Sequence, residues 1–256
     1  MIAVLITARA GSVRLAQKHL IEANHRPLLY WLIKRFEYEF QKEIAQEELC
    51  LVIATSERPG NEIFSVATKD TSCRIIHGSD DNIPLRHLQC AQHTGADHII
   101  SVDGDDILCS AHGARAIYEK MKAQEPYDVF ATSGLPLGMN VWGYSTDFLE
   151  KCLSDQQNKK LETGWGRIFV NARQYTVTLG AHDIMGDLRF TLDYDQDAEF
   201  FCAVINRIGD KIVTINDEEL ITFVQQNELY KINASLKEVY WANYNEQKQS
   251  EQDEKK

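Results

Sequence analysis

Short, unbroken apolar runs alternate along this chain with segments whose apolar residues recur every three or four positions. "IAVLIT" (2–7), "LCLVIAT" (49–55), "CRIIHG" (73–78) and "HIISVDGDD" (98–106) are continuous rather than alternating, which predicts strands buried on both faces. Between them, "PLLYWLIKRFEYEF" (27–40), "NEIFSVATKD" (61–70) and "PLRHLQCAQHTG" (84–95) carry helical spacing. Pro27 suits a first helical turn and Gly95 a helix stop. Strand–helix alternation of this kind predicts parallel strands joined by right-handed crossovers, hence an α/β sandwich.

From about residue 127 the rhythm breaks. "YDVFATSGLPLGMNVWGYS" reads as two strands around a Gly- and Pro-bearing loop, followed by helices near 146–154 and 161–171. "YTVTLG" and "LRFTLD" read as two more strands, and "DQDAEFFCAVINRIG" as a helix whose acidic start suits the helix dipole. One domain is expected over 1–244, with an excursion at 136–173, and the wholly polar 245–256 is expected to be a frayed or disordered tail.

The longest apolar runs are far too short to span a bilayer, and no basic segment followed by a long apolar one opens the chain. Six scattered cysteines form no CxxC pair, which argues for reduced thiols and against zinc, and the histidines show no zinc spacing either. The expectation is a cytoplasmic protein with no membrane partner. A net charge of −11 disfavours nucleic acid as a partner. It also means that an anion site here must concentrate its cations locally.

"ITARAGSVRLAQKHL" (6–20) does so, releasing Arg9, Arg14 and Lys18 around Gly11-Ser12 directly after a strand. It is neither a Walker loop nor a Rossmann fingerprint. Ligands of α/β sheets bind at the carboxyl ends of strands. There the Gly-Ser step lets backbone N–H groups approach an anion, while the three cations offer charge-assisted bonds to phosphate. A solvated basic loop is the competing reading. "SVDGDD" ends the fourth strand with Asp103, Asp105 and Asp106, a pattern that suits Mg²⁺, though an acidic turn reads the same way. Asp193 in "RFTLDYDQDAEF" also ends an expected strand, and either completes a metal site or caps a helix, as Asp195 could.

These residues carry a resemblance. "ARAGSVRLAQKHL" resembles the A-R-x-G-S-x-R-L-P-x-K-x-L signature of the cytidylyltransferases, nearest the spore-coat-polysaccharide type and related to the CMP-Kdo and CMP-sialate synthetases. "HGSDDNIPLRHLQCA", "VDGDDIL" and "RFTLDYDQDAEFF" are similar to further motifs of that group, in the same order. The likeness covers roughly 2–110 and 187–202 and is poorer over 139–186. Ala16 and Ile107 replace prolines of the pattern.

The resemblance implies a three-layer α/β sandwich of the nucleotide-diphospho-sugar transferase, Rossmann-like type, with a mostly parallel sheet and a small dimerisation excursion. By that match Arg9, Arg14 and Lys18 face the triphosphate of CTP, with Gly11 and Ser12 in the same loop. Ala8, Ala10, Gly78 and Ser79 lie near base and ribose, and Arg86 and Asp103 join the nucleotide-binding set. Asp105 and Asp193 would hold Mg²⁺, and Arg9, Lys18 and Asp105 form the catalytic group. The expected reaction moves CMP from CTP to an acidic sugar or phosphorylated small acceptor and releases pyrophosphate, in surface polysaccharide or glycoconjugate biosynthesis.

In the middle segment Asn140 and Trp142 stand where the pattern commonly has carboxylates. Two readings stay open. Trp142 or Trp165 walls an acceptor pocket with Asn140 beside it and Arg167 or Arg173 as anion clamp, or the tryptophans are core or interface anchors. Apolar side chains projecting from 136–173 argue for a homodimer. Competing functions are a glycosyltransferase using Asp103-Gly104-Asp105 as a metal-binding DxD, and a non-catalytic nucleotide-binding member of the fold. Because clustered cations repel until an anion arrives, removing Lys18 or Arg9 is expected to leave ligand-free stability unchanged or slightly higher.

Overall fold

The computed structural model describes residues 1–11, 14–154, 156, 159–180 and 188–253. The chain starts with β1 (Ile2–Thr7), then a two-stranded hairpin of β2 (Glu22–Ala23) and β3 (Arg26–Pro27). It continues through α1 (Leu28–Glu39), α2 (Gln41–Ala45), β4 (Leu49–Ser56), α3 (Phe64–Ala67), β5 (Arg74–Gly78), α4 (Ile83–Thr94) and β6 (His98–Asp103). Next come α5 (Ala111–Lys122), β7 (Val129–Ser133), β8 (Trp142–Ser145), α6 (Thr146–Leu153) and β9 (Gln174–Thr178). Three helices end it: α7 (Asp195–Ile208), α8 (Asp217–Gln226) and α9 (Leu236–Asp253).

The seven strands lie in the order β5-β4-β1-β6-β8-β7-β9. The pairings β4–β5, β1–β4, β1–β6 and β7–β9 are parallel, and β8 runs antiparallel between β6 and β7. β1 is central because it is apolar on both sides. Ile2, Val4 and Ile6 face a core shared with Leu32 and Phe36 of α1 and Ile117 of α5. Ala3 and Leu5 face the opposite core, with Leu88 and Ala91 of α4 and Leu149 and Leu153 of α6. This makes three layers. Each such side chain contributes about 1.5–3 kcal/mol by burial, so Leu5→Ala, which also leaves a cavity, would cost about 2–5 kcal/mol. A further apolar cluster joins α7 and α8 to the outer side of α1 through Leu28 and Trp31.

Helix ends follow the sequence signals. The Asn82 side chain accepts from the Leu85 N–H with Pro84 in the first turn of α4, and Gly95 at φ 71° ends that helix. Other expectations are corrected. The helix expected over 61–70 is a 3-10 turn at Asn61–Ile63 followed by the short α3. The helix expected over 161–171 is only a 3-10 turn, Trp165–Ile168, entered through Gly164 at φ 59°. "LRFTLD" joins no strand ladder among the described residues. It runs extended, with Phe190 N–H donating to Leu137 O and Leu192 N–H to Asp105 O, and buries Leu188, Phe190 and Leu192 against the α7–α8 cluster. Inward-pointing alternation in an extended segment looks the same in sequence whether or not neighbours pair with it.

The tail expected to fray at 245–256 instead continues α9 as far as Asp253. Glu, Gln and Lys are good helix formers, so a polar run does not by itself end a helix. Segment 136–173 does not project as an apolar excursion either. β8 inserts into the sheet, and Tyr144, Phe148, Trp165 and Phe169 pack onto the α4–α6 side. The exposed patch that argued for a second subunit is absent among the described residues of this segment, where Trp142 and Val170 are the large apolar side chains left exposed. All six cysteines are free thiols. Among the described residues no helix is long and apolar enough to cross a membrane.

Candidate active site

The parallel register sets Thr7, the last residue of β1, beside Asp103, the last of β6. The cationic loop and the aspartate cluster therefore leave the sheet side by side. Gly104 lets them touch: its N–H donates to Thr7 O at 2.8 Å, and a Cβ on it would lie 2.8 Å from that same oxygen. The loop is pinned from the far side too. Ala10 N–H donates to Asn61 Oδ1 at 2.8 Å, and the buried Asn61 amide donates to Ser56 O and Oγ. Between these loops and the segment 160–167 opens a cleft of about 890 Å³.

Each cation of the loop already has a carboxylate. Arg9 Nη1 donates to Glu162 Oε1 at 2.7 Å, and Arg14 Nη2 to Asp193 Oδ1 at 2.6 Å. Lys18 Nζ donates to Asp105 Oδ2 at 2.6 Å and to Leu192 O at 2.8 Å, and lies 3.7 Å from Asp193 Oδ1. Lys18 is therefore a buried cross-link between the two aspartates rather than a cation waiting in solvent. His19 Nε2 meets the other Asp105 oxygen at 3.0 Å. Burial works to raise the Asp105 pKa, yet Lys18 and then His19 outweigh it and hold the carboxyl well below its usual range.

Asp193 is fixed from behind. Arg189 Nη2 donates to Asp193 Oδ2 at 2.9 Å, while Arg189 Nε donates to the fully buried Asp197. Asp197 in turn accepts from the Asp193 and Tyr194 N–H groups at the start of α7. The cap is thus made by Asp197 reaching back, not by Asp193 or Asp195. Tyr240 of α9 lies over Arg189, 4.5 Å from ring centre to guanidinium carbon, and lines the cleft. The Asp103 side chain opens to the cleft; its enclosed setting, then the neighbouring Asp105 carboxylate, push its pKa up to about 6. Burial and the nearby Asp103 also raise Asp106.

Ala8, Arg9, Gly11, Arg14, Lys18, Arg86, Asp103, Asp105 and Asp193 line this one cleft, with Asn140, Trp142 and Arg167 on its far wall. Ala10 supports the loop without lining the cleft. Ser12 lies outside the described residues. Gly78 and Ser79 line a separate depression with Arg58 and His77, so they are not brought to the cleft directly. Arg86 bridges the two: it is buried and donates to Ser79 O and Asp80 O, both at 2.7 Å. Asn140 spends its amide inside its own loop, donating to Leu135 O at 2.9 Å. It braces its loop while lining the cleft. Arg173 pairs with Asp128 and is not among the cleft residues. His19, Asn61, Glu162, Arg189, Asp197 and Tyr240 escaped the sequence reading. Of these, Arg189 and Asp197 stand within the quoted "RFTLDYDQD" segment, and only their spacing around Asp193 could have suggested a role.

A parallel-stranded α/β sandwich with a cationic loop after its central strand and aspartates after the next is a nucleotidyltransferase arrangement. The sequence pattern of the cytidylyltransferases matches residues 3–179, and the chain belongs to that family. It is 21% identical over 239 residues to the uncharacterized protein MJ1063 of Methanocaldococcus jannaschii, covering 91% of this chain and 95% of that one. A cytidylyltransferase from Leptospira borgpetersenii has a similar fold, with a TM-score of 0.75 at 18% identity, covering 90% of this chain and 95% of that one. A CMP:2-keto-3-deoxy-manno-octonic acid synthetase complexed with CTP is similar at a TM-score of 0.57 and 14% identity, covering 80% of this chain and 98% of that one. Both solved structures share the α/β fold of this chain.

Among the described residues, no group of three or more His, Cys, Asp or Glu side chains is arranged to hold a metal. Mg²⁺ asks for less, taking one or two carboxylates and keeping water and substrate phosphate as its other ligands. Asp105 and Asp193 are the candidate carboxylates, brought within 2.6 and 3.7 Å of the same Lys18 Nζ, whose ammonium lies between them.

Proposed function

We propose that this protein transfers CMP from CTP to a small anionic acceptor, an acidic sugar or a phosphorylated molecule, in surface polysaccharide or glycoconjugate biosynthesis. The observation that carries the reading is the juxtaposition of Arg9, Arg14 and Lys18 with Asp105 and Asp193 in one cleft at the carboxyl edge of a parallel sheet. An acceptor oxygen forms a bond to the α-phosphorus of CTP, the bond from that phosphorus to the bridging oxygen of pyrophosphate breaks, and the acceptor's proton passes to solvent. No covalent enzyme intermediate is needed. The difficulty is electrostatic: an anion must approach a phosphorus surrounded by negative oxygens, so positioning and charge neutralisation do most of the work. Arg9 and Arg14 would leave Glu162 and Asp193 for triphosphate oxygens, while Lys18 keeps the two aspartates together. Mg²⁺ held by Asp105 and Asp193 would draw charge from the phosphates.

The test is pyrophosphate release. The protein is incubated with each of the four nucleoside triphosphates, Mg²⁺ and a pool of sugar acids and sugar phosphates. Release that requires CTP and an acceptor is expected, with calorimetry showing tighter binding of CTP than of ATP, GTP or UTP. Equal affinity for all four would remove the cytidylyl assignment and leave the fold untouched.

A further inference from the structure

Within the cleft, Trp142 is an anomaly: an indole 40% exposed on a sheet whose other inward aromatics are covered. It opens β8 and is paired in register with Ser101 of β6, two residues before Asp103. Side chains two apart on a strand share a face, and residues paired across strands share it too. Ser101, Asp103 and Trp142 therefore project into the same cleft, as their common lining of it confirms. The diagonal spacing in such a ladder, about 7–8 Å, is close to the width of one sugar ring.

The indole is also held still. Phe169 stacks with it at 6.5 Å and 30°, and Trp165 meets it edge-on at 6.4 Å. Gly166 comes so close that a Cβ there would lie 2.9 Å from the Trp142 ring. An aromatic ring braced on one side and open to a polar cleft on the other is a platform. Sheet order says what the platform serves. The phosphate loop follows β1, the aspartates follow β6, and Trp142 stands on β8, the next strand outward. With the phosphates between β1 and β6, as the reading above has them, and β8 the next strand on the side away from β4, Trp142 stands on the open side of the phosphates, where an acceptor can come in. Lys160, an exposed cation lining the same cleft, has no ion-pair partner among the described residues.

We infer that Trp142 is the acceptor platform: the C–H face of a saturated sugar ring lies on its indole, and an anionic substituent of that sugar is met by Lys160. This rests on the cytidylyltransferase reading above, and it narrows the acceptor to ring-bearing anions. Acyclic phosphates are disfavoured because they offer no flat C–H face.

Saturation-transfer NMR tests it on the full chain with Mg²⁺ and a non-hydrolysable CTP analogue. The probes are glucuronate and glucose 1-phosphate as ring-bearing anions, and glycerol 3-phosphate as an acyclic one. Ring-proton saturation is expected with at least one ring-bearing probe and not with glycerol 3-phosphate. Trp142→Ala should weaken that probe's binding about tenfold, and Trp142→Phe should weaken it less, while affinity for the CTP analogue stays within about twofold. If no ring-bearing probe receives saturation, or Trp142→Ala binds it as the wild type does, the platform is wrong. A Trp142→Ala variant that loses the CTP analogue would make the indole a base or ribose contact and overturn the inference, leaving the nucleotide reading intact. Failure of the wild type to bind the analogue at all would instead strike the underlying reading.

Discussion

Lys18 shows how a residue's position can be legible in sequence while its neighbours are not. Its place in the loop marks it for the site, but its burial between Asp105 and Asp193 could not be read from a local pattern, since Asp193 lies 175 positions along the chain. Removing it would leave two carboxylates facing each other in a partly dry pocket. Lys18→Met is therefore expected to lower ligand-free stability by about 3 kcal/mol, opposite to the gain that simple cation repulsion suggests. Arg9 differs, because its ion pair with Glu162 is 41% exposed on the arginine side, and such pairs contribute at most about 1 kcal/mol. Arg9→Ala should keep its urea midpoint yet lose about one to two decades of CTP affinity through a lost charge-assisted bond. Urea titration beside calorimetry checks both. Equal stability loss in the two variants would contradict the contrast. Asp105→Asn and Asp193→Asn should each remove most pyrophosphate release, and each should also cost stability, since Asp105 is paired with buried Lys18 at 2.6 Å and Asp193 with buried Arg189 at 2.9 Å.

Among elements, the strands were legible because burial on both faces writes a continuous apolar run, as in β1 and β4. The motif loops were legible because each is contiguous. What the sequence hid is assembled from distant or irregular pieces. Glu162 reaches Arg9 across 153 residues, from a segment that bends at Gly164 and Gly166 instead of forming the expected helix. The segment carrying Arg189 and Asp193 looks like a strand yet pairs through one isolated bridge, Leu137 with Arg189. α9 is the largest surprise. The sequence pattern marked no helix here and suggested fraying at 245–256, yet the first turns of α9 bring Tyr240 over Arg189, and Asn243 Nδ2 donates to Tyr194 OH at 2.7 Å. These contacts brace the mount of Asp193. A chain ending at Ser235 should therefore keep its sheet and a cooperative urea transition, losing only the α9 share of its helical circular dichroism, while pyrophosphate release falls about tenfold or more, equivalent to about 1.4 kcal/mol in the barrier. Full activity in the shortened chain would make α9 dispensable to the site.

At the scale of the whole molecule, one buried side chain ties a helix to two strands of the sheet and should leave its mark on stability against pH. His87, on α4, has one ring nitrogen 2.6 Å from Thr7 Oγ1 of β1 and the other 2.6 Å from Tyr144 OH of β8. Burial first, and the adjacent Arg86 second, press its pKa down to about 3. A histidine that stays neutral when folded but takes up a proton near pH 6.5 when unfolded favours the folded state above that pH. The advantage shrinks as pH falls, until the folded imidazole also titrates near its depressed value. Asp103 acts with the opposite sign. Its folded pKa is raised to about 6, so between its unfolded value and that point the folded state binds the extra proton and stability rises with acidity. The two slopes partly cancel, and the wild-type profile alone would hide both. Comparison with His87→Gln separates them, because Asp103 is common to the two proteins. Below pH 6.5 the wild type should lose ground to the variant by up to about 1.4 kcal/mol per pH unit, levelling off towards pH 3. Urea midpoints measured from pH 7 to pH 4 decide it. Converging curves bear out a neutral His87 at the junction of β1, α4 and β8, whereas parallel curves would mean that the imidazole titrates in the folded protein as it does in water.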